Sequence, residues 1–394
     1  MRVGIYNEPT QGGIGGSEVS VAVLAEALSR KHQVSIIHHR SDVTRERLAY
    51  ISCTDLSAVQ MRSVVTRPYS FGTTHNPWRR YKQARDWQRE LSEPYDLFVN
   101  FTHGFPPFCH AGRGVLVVMF PFHSPPYSSH LESSGSVNGT APSKRFSSIY
   151  HNWEWRRRLE SYQTKTTISR FSRDWTTRRW GVTCEVVHPP GDSRLRPHDK
   201  RNFILSVGRF TTAGHSKKQL EMMTAFGKLQ ESPDNKWRYF SIGGLSDAVK
   251  DQEYFLKVCR RAQGCGAHVF ANLDRDRLER LYGEARIFWH AAGYGEDECR
   301  PELSEHFGIV TVEAMSAGCI PVVIDKGGQP EIVEHGVSGF LWSNLEELTG
   351  YTELLMRDDG LRARMGEAAQ SRAKRFSREN FVSRFLSLLP ESMQ

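Results

Sequence analysis

The 394-residue sequence lacks the patterns of several large protein classes. No apolar run approaches the ~20 residues of a membrane-spanning helix, and the longest, residues 115–122, has the length of a strand. The seven cysteines are scattered without a Cys-x-x-Cys pair, so neither a zinc site nor a disulfide framework is indicated. No helix-turn-helix, zinc-finger or RNA-binding signature is present, and we expect no nucleic-acid partner.

The N-terminus also lacks the apolar core of a secretory signal, since it begins MRVGIYNEP. With reduced cysteines, this predicts a cytoplasmic protein. Two stretches rich in arginine and tryptophan, residues 78–87 and 153–158, leave two readings open. One is peripheral contact with the cytoplasmic face of a membrane, and the other is a solvated helix face with an aromatic underside. The net charge of +8 suits an anionic ligand or surface.

The length favours two domains, because 394 residues are too many for one ordinary core. The Pro-Pro-Gly at residues 189–191 predicts the boundary between them. The first half opens with a strand, a glycine-rich loop, a helix and a second strand, which is the start of a doubly wound α/β domain. A second α/β unit begins at the strand 203–207.

Polar groups follow several predicted strands, where the ligand crevice of an open α/β sheet lies. The loop of residues 12–16, which includes Gly15 and Gly16, is either a tight turn or an approach for an anion. His103 and His123 each follow a strand. Residues 124–143, rich in Ser, Pro and Gly, are either an acceptor loop or a variable excursion.

The second half of the sequence contains two cationic residues and a helix start that could form one anion site. Arg209 lies at the carboxyl end of the strand that begins at residue 203, and Lys217 lies at the start of the next helix. Phe307, Gly308 and Ile309 mark the entry to another helix, whose free N–H groups suit an anion. Two cations and a helix N-terminus predict a diphosphate site.

Two carboxylates flank that helix start. Glu313 is placed to accept hydrogen bonds from a ribose diol, as acidic residues do in nucleotide folds. Glu305 precedes the helix and is placed to face a transferred group. Two surface glutamates at a helix N-terminus are the plain alternative, but the nearby cations favour the functional interpretation.

Together these motifs resemble the retaining glycosyltransferases of the GT-B fold, family 4. The segment EHFGI, residues 305–309, is most similar to that of mannosyltransferase-like members. The E-x7-E motif matches Glu305 to Glu313, and Gly-Gly-x-Pro-Glu matches residues 327–331. The Gly-Arg and Lys pair matches Gly208-Arg209 and Lys217, and the N-terminal glycine loop matches residues 12–16. The likeness covers nearly the whole chain.

The resemblance implies an α/β fold of two Rossmann-like domains with the active site in a cleft. Residues 1–190 would bind the acceptor and residues 191–375 the nucleotide sugar, while residues 376–394 would cross back to the first domain. No metal or other cofactor is implied, because the nucleotide sugar is a co-substrate.

The resemblance also implies roles for single residues. Glu305, His123, Arg209 and Lys217 would be catalytic. The donor would be bound by a larger set: Gly15, Gly16, Arg209, Lys217, Lys218, Phe270, Phe307, Gly308, Ile309 and Glu313. Two departures from the family pattern are a long spacer, residues 210–216, and an acidic insertion, residues 293–304. The spacer leaves open whether Lys217 or Lys218 binds the diphosphate.

The predicted activity is transfer of a mannose- or glucose-type hexose from a nucleotide-diphosphate sugar to a hydroxyl, with retention. The acceptor would be a glycan, a lipid-linked group or a small molecule. Two alternatives are an epimerase or phosphorylase-like enzyme of the same fold, and a non-catalytic protein that binds nucleotide sugars.

Overall fold

A computed structural model describes most of the chain. The described residues are 1–7, 15–40, 43–64, 77–122, 153–192, 194–212, 214, 216–231 and 236–393. The chain forms two compact units, one of Met1–Val187 with Val382–Gln394 and the other of His188–Phe381.

The N-terminal unit is built on a parallel sheet of seven strands. They are β1 Arg2–Asn7, β2 Gln33–His38, β3 Val59–Ser63, β4 Leu97–Thr102, β5 Arg113–Val118, β6 Thr164–Thr167 and β7 Glu185–Val186. The order β3-β2-β1-β4-β5-β6-β7 reverses direction between β1 and β4. Its helices are Gly16–Ser29, Arg45–Ser52, Pro77–Ser92, residues 153–160 and Arg170–Trp180.

The C-terminal unit has a parallel sheet of six strands. They are β8 Arg201–Val207, β9 Arg238–Gly243, β10 His268–Ala271, β11 Ala285–His290, β12 Ile320–Ile324 and β13 Phe340–Trp342. The order β10-β9-β8-β11-β12-β13 reverses between β8 and β11. Its helices are Gln219–Gln230, Val249–Cys265, Arg275–Glu284, Ile309–Ser316, Gln329–Ile332, Leu345–Arg357 and Asp359–Ala373, and Arg378–Leu386 runs from this unit into the terminal segment.

Apolar strands explain both sheets. All five residues of β12 are buried, as expected for a parallel strand covered by helices on both faces. Helices on both faces of a parallel sheet confirm the prediction of two Rossmann-like domains. The helix predicted to follow Lys217 and Lys218 begins at Gln219, and Lys218 is its N-cap residue, with a left-handed φ of 56°.

The arginine- and tryptophan-rich stretch at residues 153–158 is partly core. Trp155 is 5% exposed and Arg158 is 1% exposed. The Arg158 guanidinium lies 4.5 Å from the ring centre of Phe105 and 4.6 Å from that of Phe108. These two side chains are therefore unavailable for the predicted membrane contact. None of the helices in the described part of the chain has the length and apolarity needed to span a bilayer.

Candidate active site

The candidate site lies at the point where the C-terminal sheet reverses its strand order. Ligand crevices of open α/β sheets form there, beyond the carboxyl ends of the strands. Gly208 and Arg209 follow β8, and His290 is the last residue of β11. The two strands are direct neighbours.

Gly208 brings Lys217 back over the end of β8. A Cβ at Gly208 would lie 2.5 Å from Cγ of Lys217, so the lysine stem crosses the backbone where only glycine fits. The Gly208 N–H donates to the carbonyl of Ile242 at 2.9 Å, which ties the turn to β9. The Gly-Lys pairing seen in the sequence is thus a packing relation.

Two side chains, those of Lys217 and His290, converge on one carboxylate oxygen of Glu305. Lys217 donates through Nζ to Oε2 of Glu305. Nε2 of His290 lies 3.0 Å from the same Oε2. The side chains of Lys217 and Glu305 are 14% and 13% exposed, and that of His290 is 2% exposed. We call these three residues the Glu305 cluster.

The glycine pair at 327–328 holds the backbone of Glu305. The Gly328 N–H donates to the Glu305 carbonyl at 2.8 Å. Gly327 has a φ of +65°, and a Cβ there would lie 2.1 Å from that carbonyl oxygen. A Cβ at Gly328 would lie 2.5 Å from Cα of Phe307. Side chains at either position would displace Glu305.

The helix that follows Glu305 starts without a side-chain cap. Gly308 is the N-cap residue, with a φ of 115°, and the helix Ile309–Ser316 has no acidic residue in its first turn. Since the first N–H groups of a helix lack intrahelical partners, this end can receive an anion. Phe307 is buried with its ring centre 5.4 Å from that of His188. This packing fixes the start of the helix.

Glu313 lies one turn further along that helix, in a network of charged groups. Tyr282 donates its hydroxyl to Oε2 of Glu313 at 3.2 Å. Burial, and then the charge of Asp192, raise the pKa of Glu313 to about 7, although Arg275 acts in the opposite direction. Asp192 accepts hydrogen bonds from Arg275 at 2.5 Å and from Arg194 at 3.0 Å. Glu313 is thus a carboxyl group that titrates near neutral pH.

Lys218 contacts the acidic insertion rather than Glu305. Its Nζ donates to Oε1 of Glu296 at 2.5 Å, and Lys326 donates to the Glu296 carbonyl at 3.2 Å. The structure therefore gives the two neighbouring lysines different partners. Lys217 meets the E-x7-E motif, while Lys218 holds the insertion.

The other predicted donor-binding residues of this unit lie at the same edge of the sheet. Arg209 is exposed, and among the described residues its guanidinium has no ion-pair or hydrogen-bond partner. Phe270 in β10 is 42% exposed. Asn272 follows it, with a left-handed φ of 53°, and its Oδ1 accepts from the Leu245 N–H at 2.9 Å.

The predicted residues of the N-terminal unit are only partly described. The Gly15 N–H and the Ser17 hydroxyl each donate to Oε2 of Glu18 at 2.9 Å, so the start of the helix Gly16–Ser29 is capped by its own carboxylate. His103 is half-buried just after β4. His123 and residues 124–143 lie outside the described residues.

Sequence reasoning missed two parts of this arrangement. His290 ends an apolar strand and gives no signal of its contact with Glu305. Asp192, Arg275 and Tyr282 are separated from Glu313 in the sequence and belong to no recognisable motif. A polar residue at the end of a strand next to the switch point is the signal that would have marked His290.

Sequence comparison covers both units. A sequence model described as glycosyl transferases group 1 matches residues 192–372, and one described as glycosyltransferase family 4 matches residues 14–193. The chain belongs to these glycosyltransferases. The family resemblance of the motifs is therefore confirmed.

Curated relatives of this glycosyltransferase share about a quarter to two fifths of the aligned residues. A GDP-Man:Man(3)GlcNAc(2)-PP-Dol alpha-1,2-mannosyltransferase of Dictyostelium discoideum is 28% identical over 234 residues, 55% of this chain and 44% of the relative. A D-inositol 3-phosphate glycosyltransferase of Corynebacterium jeikeium is 39% identical over 214 residues, 50% of this chain and 49% of the relative. The chain thus spans about half the length of the curated relatives it matches.

Solved structures resemble the whole chain in fold. A glycosyltransferase from Rickettsia africae ESF-5 has a TM-score of 0.70 at 16% identity, covering 98% of this chain and 97% of that one. Anabaena Alr3699/HepE in complex with UDP and glucose has a TM-score of 0.67 at 15% identity, covering 97% and 98%. At these identities the likeness establishes the GT-B fold.

Proposed function

We propose that the protein is a retaining glycosyltransferase. It moves a mannose- or glucose-type hexose from a nucleotide-diphosphate sugar to a hydroxyl of a glycan, lipid-linked or small-molecule acceptor. The observation that carries this proposal is the Glu305 cluster, which joins a cation and a carboxylate beside an uncapped helix N-terminus. The names of the mannosyl- and inositol phosphate glycosyltransferase relatives support the substrate class.

The leaving diphosphate is bound by Arg209, Lys217 and the helix that starts after Gly308. Negative charge grows on this group as the bond from the sugar breaks, and fixed donors stabilise it. Arg209 is exposed and offers its guanidinium directly. Lys217, which contacts Glu305 here, gains a second anionic partner when the donor binds.

Retention follows from front-face displacement. The acceptor oxygen bonds to the anomeric carbon as the bond to the diphosphate oxygen breaks, and the acceptor proton passes to that departing oxygen. Glu305 is a poor nucleophile for a covalent intermediate, because Lys217 and His290 both contact Oε2. Its negative charge instead stabilises the positive charge that develops on the sugar.

Several roles remain predictions within this proposal. Glu313 accepts the ribose hydroxyls, and Phe270 lies beside the base. His123 contacts the sugar, with His103 as the alternative. The reaction requires no metal. Peripheral membrane contact would depend on basic residues other than Arg158.

Thermal unfolding with nucleotides tests the proposal. GDP, UDP and ADP are compared with their monophosphates, which lack the second phosphate. A bound diphosphate at about 100 times its Kd raises the melting temperature by about 5–10 °C.

The nucleotide that binds best determines which sugar donors are used in transfer assays, and NMR of the product gives the anomeric configuration. Failure of every diphosphate to shift the melting temperature would contradict the proposal. Donor conversion that needs no acceptor would favour an epimerase instead.

A further inference from the structure

His290 is buried at the end of β11 and uses only one of its ring nitrogens. The side chain is 2% exposed. Nε2 lies 3.0 Å from Oε2 of Glu305. Nδ1 is buried and has no hydrogen-bond partner among the described residues. An imidazole with one engaged and one empty nitrogen restricts its own protonation state.

The contacts select the neutral tautomer with the proton on Nε2. A carboxylate oxygen only accepts, so Nε2 must carry the hydrogen that is shared with Glu305. A second proton on Nδ1 would bury a charged donor without an acceptor, which is costly. Burial also lowers the pKa of His290, against the opposing effect of Glu305, and the Lys217 charge lowers it further.

The two donors to Glu305 differ in their freedom to move. Lys217 carries its ammonium on a flexible four-carbon stem and is a proposed ligand of the donor diphosphate. His290 is fixed by the sheet, where its β11 position pairs with Val323 of β12. When Lys217 shares its ammonium between Glu305 and the diphosphate, His290 is the donor that stays wholly on the carboxylate.

We propose that His290 is a positioning residue, which holds Glu305 toward the sugar through a neutral Nε2–H donor. The inference rests on the proposed function and assigns to His290 a part in the same site. A neutral donor orients the carboxylate without cancelling its charge. That charge is needed because positive charge develops on the sugar in the transition state.

Two substitutions separate hydrogen-bond donation from packing. In His290→Gln the amide nitrogen takes nearly the place of Nε2 and still donates, whereas His290→Leu fills similar space without a donor. We expect His290→Leu to lower kcat about 10- to 100-fold. The Kd for the preferred nucleoside diphosphate should change less than about 3-fold, because His290 is not among the proposed diphosphate ligands. His290→Gln should recover at least half of the lost activity on a logarithmic scale.

Tyr239→Phe is the matched control. It removes a buried hydroxyl that lies 2.7 Å from the Ser206 hydroxyl and makes no hydrogen bond to the Glu305 cluster among the described residues. It should lower the melting temperature and leave kcat unchanged. A His290→Leu enzyme within 3-fold of the wild-type kcat would overturn the inference. Equal losses in the Leu and Gln variants would overturn it as well.

NMR of the wild-type protein with ¹⁵N-labelled histidine gives a readout that needs neither turnover nor the Leu variant. The signal that disappears in His290→Gln belongs to His290. It should report a neutral ring protonated on Nε2 at pH 7, and an imidazolium or an Nδ1–H tautomer would overturn the inference. If the wild-type enzyme transfers sugar but His290 is not protonated on Nε2 alone, only the inference about His290 is refuted. If the wild-type protein transfers no sugar but His290 is protonated on Nε2, the proposed function is refuted, and the hydrogen bond from His290 to Glu305 stands.

Discussion

The central strands of the two units end in chemically different ways. Beyond the ends of β8 and β11, Glu305 accepts a hydrogen bond from Lys217, which lies 88 positions earlier in the chain. In the N-terminal unit, after β1, Glu18 accepts a hydrogen bond from the N–H of Gly15, only three positions away. The C-terminal unit thus builds a charged cluster from long-range contacts. The N-terminal unit uses its carboxylate to cap its own helix.

This difference indicates where a diphosphate would bind. A helix N-terminus that already holds a carboxylate binds a phosphate less well. The two negative charges repel each other, and one N–H donor is already hydrogen-bonded. The helix Gly16–Ser29 is in that state. The helix Ile309–Ser316 has no acidic residue in its first turn. We therefore expect variants of the C-terminal unit to affect donor binding and turnover, and variants of the glycine-loop helix to affect stability.

The two neighbouring lysines give the largest expected contrast. Lys217→Ala should lower kcat/KM about 10²- to 10³-fold, since it removes the charge proposed to stabilise the leaving diphosphate. Lys218→Ala should cost less than about 10-fold, because its partner Glu296 is on the insertion. Steady-state kinetics with the preferred donor measures both. The reverse order would move the diphosphate to Lys218 and break the assignment.

The glycine pair gives the next effect. Gly327→Ala would place a Cβ 2.1 Å from the Glu305 carbonyl oxygen at a φ of +65°. We expect a loss of about 2–4 kcal/mol in the free energy of unfolding, together with a strong loss of activity. Gly336→Ala is the control: its φ is +76°, with nothing within 4 Å of the added Cβ. It should cost only about 1 kcal/mol, measured by urea unfolding. Equal costs at both positions would show that the contact with Glu305 is not tight.

Glu313 gives a pH-dependent effect. Its pKa is raised from 4.5 to about 7, so the folded protein keeps a proton that the unfolded chain has lost. This contribution to stability falls as pH rises from about 4.5 to about 7, by up to about 3 kcal/mol. Nucleotide binding should strengthen over the upper part of that range, because the ionised carboxylate accepts the ribose hydroxyls better.

Glu313→Gln serves as the reference for that measurement. Urea unfolding of both proteins at pH 5 and pH 7.5 gives the difference attributable to Glu313. The lowered pKa of Asp192 has the opposite sign, with stability lost as pH falls, and it largely cancels in the subtraction. A difference that does not change with pH would show that Glu313 titrates normally.

The N-terminal helix gives the smallest effect. Glu18→Ala removes the acceptor of the Gly15 N–H and should cost about 1 kcal/mol of stability. Glu46→Ala is the control, since Glu46 is an exposed residue in the first turn of the helix Arg45–Ser52. It should cost only a few tenths of a kcal/mol. Isothermal titration should find the affinity for nucleoside diphosphate unchanged in both, and a loss of affinity in Glu18→Ala would place the diphosphate at the glycine loop.

Much of the fold follows from local sequence patterns. The run of apolar residues at 320–324 predicts β12, and Phe307-Gly308 predicts the start of the helix Ile309–Ser316. The helix Val249–Cys265 was not predicted. Its buried residues, Tyr254, Val258 and Ala262, recur every four residues. This spacing is a helical period, so the helix was predictable from the sequence.

The site was predictable only where motifs carry it. Glu305 and Lys217 lie in recognisable patterns, so their contact could be expected. The contact from His290 and the charges around Glu313 depend on strand order. That order brings together residues far apart in the chain, and no local pattern encodes it. The pairing of Lys218 with Glu296 could not be predicted either, because the insertion of residues 293–304 contains no recognisable motif.

The most direct test of the account is Glu305→Gln. The amide keeps the size of the side chain and removes its charge. We predict that kcat falls about 10²- to 10³-fold, while the Kd for the preferred nucleoside diphosphate stays within about 3-fold, because the proposed ligands of the diphosphate are Arg209 and Lys217. Single-turnover kinetics and isothermal titration on the same preparation give both numbers. A Glu305→Gln enzyme with wild-type turnover would contradict the role assigned to the Glu305 cluster.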